Sequence, residues 1–167
     1  MSASTRSRLA ASGVIVFTMT TPAVAQQSND SLKQVEWDLT EVYESLDTWR
    51  HQKEQVERRV AELTSFKGRL GESAETLVNA LDAISGAEKD VVRLYVYAFL
   101  EADEDRRVSA TQERRGEAAL LLSQLEETTS FVRPELLRIG SATIERYIDA
   151  EPRLAKHAFN VRNTLRQ

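Results

Sequence analysis

The sequence contains no cysteine among its 167 residues. Disulfide bridges, thiolate zinc centres, a cysteine nucleophile and lipid attachment through an N-terminal cysteine are therefore excluded. Only three prolines and six glycines interrupt the chain. With so few breakers, long stretches of Glu, Lys, Arg, Ala and Leu favour helix throughout. Histidine is confined to His51 and His157. There is no basic stripe: 22 basic and 26 acidic residues are intermixed for a net charge of −4. Duplex nucleic acid is thus not an expected partner. Beyond the N-terminus, no apolar run approaches the roughly 20 residues that span a bilayer.

What is present suits one soluble domain with a real core: 41% of residues are hydrophobic and 29% charged. The first segment, "MSASTRSRLAASGVIVFTMTTPAVAQQ", carries Arg6 and Arg8 but no acid. An apolar stretch from Leu9 to about Met19 follows, then Pro22 and Ala23-Val24-Ala25. Basic end, apolar centre and small-x-small exit in that order read as a secretory signal peptide over 1–25. The apolar centre is too short for a comfortable membrane span. Cleavage removes two of the 22 basic residues and none of the 26 acidic ones, which makes the net charge −6. The expected product is exported, periplasmic or extracellular, with no membrane attachment after cleavage. Residues 26–36 read as a polar leader, and 37–167 as the folded domain.

Periodicity predicts an all-α, antiparallel bundle of about five to seven helices. Asp38 or Thr40 can cap a short turn, and Ser45 the first long helix. Trp49, Val56, Val60 and Leu63 keep one face of that helix. Gly68 suits a left-handed helix end, and Gly71 frees the next turn. A second helix is expected over 73–85, capped by Ser73, with Ser85-Gly86 as a weak break. A third follows over 87–104. Its "LYVYAFL" has strand-like composition, but the absence of Gly and Pro from Ala87 to Asp105 favours helix. Because Leu94–Leu100 are apolar on all sides, this helix should be central. Ser109 should open a fourth helix over 109–132, with Ala118, Leu122, Leu125 and Val132 on one side. Pro134 suits the first turn of a short helix, 134–139. Another helix is expected over 142–149, and a last one from Pro152 to the end.

Chemistry is hard to find. A zinc peptidase helix places two histidines one turn apart around a Glu that polarises water. Here His51 and His157 lie 106 positions apart and neither precedes a Glu. Each reads as a surface or half-buried histidine. Glu101, Asp103, Glu104 and Asp105 cluster in sequence, but no glycine bend accompanies them as in a calcium loop. A helix would send them in different directions, so they read as a solvated helix end. Tyr95, Tyr97 and Phe99 could stack on a ligand, yet aromatics at helical spacing are more often core. No Gly-x-Ser-x-Gly elbow occurs, and "GRLG" is not a phosphate loop. No residue is assigned as catalytic, cofactor-binding or metal-ligating.

The order of segments is informative. "WDLTEVYESLDTW", "ELTSFKGRLGESAETLVNAL", "RLYVYAFLEADEDRR" and "FVRPELLRI" follow one another. Together they resemble the N-terminal part of oligoendopeptidase F, of the thimet-oligopeptidase-like zinc metallopeptidases, over about residues 36–166. Trp37–Thr40 and Tyr95–Asp105 carry most of the likeness. The resemblance implies a largely helical, two-lobed peptidase with a channel for short peptides. It places zinc in a C-terminal part, on a His-Glu-x-x-His and a later Glu that have no counterpart here. On that reading the chain stops before the catalytic domain, holds no cofactor itself and is inactive alone. Its partners would be short peptides or the missing catalytic lobe. Two other readings stand beside it. One is a free-standing exported helical module that binds a peptide or protein; the other is a remnant without a selected function.

Overall fold

The computed structural model describes residues 38–166, and every regular element among them is helical. The all-α expectation therefore holds. The expected signal peptide over 1–25, the leader over 26–36 and Trp37 lie outside the described residues. Asp38 accepts the Thr40 N–H at 3.1 Å and opens a single 3-10 turn, Leu39–Glu41. Ser45 is extended and its hydroxyl accepts the Thr48 N–H at 3.1 Å, which starts α1, Leu46–Glu62. Trp49, Val56 and Val60 are buried, as their spacing requires. A 3-10 turn, Leu63–Phe66, closes that helix.

Gly68 has φ +85°, the left-handed conformation that a side chain opposes. Gly71 serves differently from expectation. A Cβ there would sit 3.2 Å from Ile139 Cγ1, so the glycine permits close approach of the loop to a distant helix.

Ser73 then caps α2, Ala74–Glu104, by accepting the Thr76 N–H at 3.0 Å. This single helix of 31 residues replaces the two expected on either side of Ser85-Gly86. Glycine inside a helix costs about 1 kcal/mol relative to alanine. Burial of Ile84, Ala87 and Val91 on both sides of the site outweighs that cost. At 1.5 Å per residue α2 is about 46 Å long, and it packs against α1, α3, α5 and the 3-10 turns Leu63–Phe66 and Pro152–Lys156. It is central, as predicted, but not buried all round. Leu94, Tyr97 and Ala98 face inward, while Val92 and Val96 remain 50% and 41% exposed. The flanking helices cover one side of α2 only at this end.

A tight turn leads to α3, Ser109–Thr129. Ser109 is the first helical residue, not the cap: Val108 holds the cap position, and its carbonyl accepts the Thr111 hydroxyl at 2.8 Å. The turn before it is fixed by Asp105, which accepts the Arg107 N–H at 3.0 Å. Pairing of Glu101 with Arg114 and of Ala102 with Gln112 makes α2 and α3 antiparallel. Along α3 the buried apolar residues are Ala118, Leu121 and Leu125, with Thr111 buried near its start; Leu122 is only half-buried.

The helix ends at Thr129, earlier than expected. Next comes α4, Val132–Ile139, with Pro134 in its first turn, where no N–H is needed. Gly140, at φ +81° and ψ 154°, joins it to α5, Ser141–Ala150. The expected final helix from Pro152 is divided. Pro152–Lys156 is a 3-10 turn whose first free N–H, from Arg153, goes to the Glu151 carboxylate at 3.1 Å. Only after His157 does α6, Ala158–Arg166, begin.

Two hydrophobic clusters result. The first joins α1, α3 and the C-terminal half of α2 around Trp49, Leu94 and Leu121. The second joins the N-terminal end of α2 with α4, α5 and α6 around Leu77, Leu136, Ile144 and Val161. α2 therefore spans both.

Candidate functional site

The C-terminal half of α2 holds the most chemically diverse side chains. Tyr97 meets Tyr43 edge-on, with ring centroids 5.4 Å apart, and stacks on Trp49 at 6.4 Å. The Trp49 indole N–H donates to the Leu94 carbonyl at 3.1 Å, a bond between α1 and the middle of α2. Arg93 lies over the Tyr43 ring and donates to the Val42 carbonyl at 2.6 Å. Burial pushes the Tyr97 and Tyr43 hydroxyls up from their ordinary pKa. Both phenols thus remain protonated at neutral pH. Tyr97 belongs to the core; Tyr95 and Phe99 stack on each other at 6.1 Å, and Arg115 covers the Phe99 ring.

Three of the four clustered acids point to separate partners. Glu101 receives a bidentate contact from Arg114 at 2.6 and 2.8 Å. Asp103 pairs with Arg106 at 2.5 Å. Asp105 is gripped by Arg107 at 2.9 and 3.0 Å, which holds its carboxyl at about 2. Glu104 has interactions of its own. A carboxylate held that low is an ion-pair partner and a poor proton donor at neutral pH. Together with Asp38 and Glu44, Glu101 and Glu104 rim a hollow of about 500 Å³ walled by Tyr43 and Tyr97.

The histidines are apart in space as well as in sequence. His51 lies exposed on α1, its Nε2 2.8 Å from the Gln55 amide. His157 precedes α6, and its Nε2 meets Asp82 Oδ1 at 2.6 Å. Lys156 shares that oxygen at 2.8 Å. These two bonds, His157 first, lower the Asp82 pKa. Among the described residues no group of three or more His, Asp or Glu side chains is placed to hold a metal ion. The donor set does not fit a zinc centre.

Sequence reasoning missed Glu135. It is buried on α4, yet its carboxylate accepts the N–H groups of Gly68 and Leu70 from the loop before α2. An acid inside "VRPELLRI" gives no local sign of this, because its partners lie more than 60 positions away. The Arg59–Asp90 pair at 2.7 Å is equally non-local.

Known proteins resemble this arrangement in sequence and in fold. No family model matches the chain. Group B oligopeptidase PepB of Streptococcus agalactiae is 27% identical over 122 residues, which is 73% of this chain and 20% of that protein. Oligopeptidase PepF of Bacillus subtilis is 29% identical over 125 residues, 74% of this chain and 19% of that protein. The chain is a relative of the oligoendopeptidase F proteins. It spans about a fifth of their length. Among solved structures, oligoendopeptidase F from Enterococcus faecium shares the fold, with a TM-score of 0.67 at 23% identity over 72% of this chain and 24% of that one. The oligoendopeptidase F likeness thus rests on sequence, with the same helical arrangement beside it.

Proposed function

We propose that this chain is the N-terminal helical segment of an exported, oligoendopeptidase F-like zinc metallopeptidase that cleaves short peptides. The observation that carries this is the match of about three quarters of the chain to oligoendopeptidase F proteins, over about a fifth of theirs. The segment contributes a helical wall that restricts substrates by size and supplies no chemistry of its own. Among the described residues no group of three or more His, Asp or Glu side chains is placed to hold a metal ion, and Asp82, the acid beside His157, is shared with Lys156. Export rests on the basic, apolar and small-residue order of residues 1–25.

Two measurements test this. The purified chain, supplied with zinc and a fluorogenic short peptide, should show no turnover above background. Hydrolysis abolished by a chelator would overturn the reading. Residues 1–36 fused to a leaderless phosphatase should deliver activity outside the cytoplasm; activity retained inside the cell would remove the export half.

One observation favours a second reading, a free-standing exported module that binds a peptide or protein. No buried side-chain nitrogen or oxygen among the described residues lacks a hydrogen-bond partner. A self-sufficient module melts in one cooperative transition and stays monodisperse. A segment that needs the remaining lobe instead binds ANS through uncovered apolar surface.

A further inference from the structure

The two hydrophobic clusters do not close completely where they meet. A cavity of about 220 Å³ lies at the junction of α2, α4 and α6. Its apolar floor takes Ile84 from the first cluster, Leu81, Leu136 and Val161 from the second, and Val132, which packs against both. The space has a sequence cause. Small polar residues stand at the seam on three helices: Ser85 on α2, Thr129 at the end of α3, and Asn160 and Thr164 on α6. The two threonine hydroxyls turn back to their own helices, Thr129 to the Leu125 carbonyl at 2.8 Å and Thr164 to the Asn160 carbonyl at 3.0 Å.

Two ionisable residues line the cavity, His157 and Glu88. The Nε2 of His157 is already committed to Asp82. Glu88 has no ion-pair or hydrogen-bond partner among the described residues, and it stands exposed at the mouth. The free charge at this site is therefore negative, and it borders an apolar floor. An apolar cavity of about 150 Å³ holds one benzene ring, so this one admits a short branched or aromatic group.

The geometry points to a binding site for a primary ammonium carried on a short apolar body, with the body in the seam and the ammonium on Glu88. A free aliphatic amine and the N-terminus of a peptide that begins with an apolar residue share that chemistry. Such a ligand would bridge the two clusters. The site is independent of the peptidase reading and needs no catalytic lobe.

The test is backbone-amide NMR on the full, isotope-labelled chain, titrated with isoamylamine, with isovalerate as the anionic partner of the same shape. Isoamylamine should give saturable shifts at Ser85, Thr129 and Asn160, roughly in the millimolar range for so small a ligand. Isovalerate should not. Glu88→Gln, at an exposed position, should weaken the amine roughly threefold, as expected for one surface charge contact. Asn160→Trp, also exposed, should block the mouth and abolish the shifts while the spectrum stays dispersed. Titration with Leu-Gly-Gly separates the sources: binding as strong as the amine assigns the site to peptide N-termini, and binding of the amine alone assigns it to free amines. Shifts that do not saturate, equal binding of isovalerate, or indifference to Glu88→Gln would each overturn the proposal.

Discussion

Removing the Glu135 carboxylate should loosen the docking of α4 on the loop before α2. Glu135 is only 6% exposed, and its two oxygens accept the Gly68 N–H and the Leu70 N–H, the latter at 3.3 Å. The nearest counter-charge is the Arg138 guanidinium, 3.9 Å away and mostly in solvent. Hydrogen bonds to a charged group contribute about 1.5–3 kcal/mol each. The longer Leu70 bond belongs at the low end. Desolvation of the carboxylate offsets part of the total. Glu135→Ala should then destabilise the fold by about 2–3 kcal/mol. For a domain of this size that is a fall in Tm of roughly 10 °C. Glu135→Gln keeps one carbonyl acceptor but turns an amide donor toward the second N–H, so it should cost about 1–2 kcal/mol. Urea unfolding followed by far-ultraviolet circular dichroism gives both values, with the m-value unchanged. Hydrogen exchange should show Gly68 and Leu70 losing protection first. An alanine variant within about 0.5 kcal/mol of the parent would refute the argument.

Gly140 stands at φ +81° and ψ 154°, a region that side chains avoid, so Gly140→Ala should cost about 1–3 kcal/mol in urea unfolding although no atom crowds the site. Trp49→Phe removes the indole bond to Leu94 and part of the stack on Tyr97; a loss of about 1–2 kcal/mol is expected, and none would mean that water replaces the bond. Asp82 has a pKa lowered by His157 and Lys156. Its contribution to stability is present above the unfolded value near 3.8 and is lost as pH falls through the lower folded value. Asp82→Asn should therefore reduce stability at neutral pH and flatten its decline below pH of about 4, read from urea midpoints across the acid range; an unchanged acid limb would sink the assignment.

Much of the candidate site is legible in the order and spacing of its residues. The different directions of Glu101 and Asp103 follow from helical geometry, whereas Asp105 lies past the end of α2, where extended backbone brings it to Arg107. Tyr97 as core follows from its place in an apolar run. The Glu101–Arg114 contact, the Asp82–His157 pair and the Glu135 anchor are not legible there, since each joins residues on different helices.

The sequence by itself determined the helical class, the caps at Ser45 and Ser73, the inward face of α1 and the kinship with oligoendopeptidase F. Those properties depend on neighbours within a turn or two, or on the order of segments along the chain. Tertiary structure decided that α2 runs unbroken through Gly86, because burial on both sides of the glycine outweighs its propensity. It also decided that the final segment divides at His157, where Asp82 on α2 takes hold of the ring. The seam cavity belongs to the same level: it exists only where small polar residues on separate helices come to face one another.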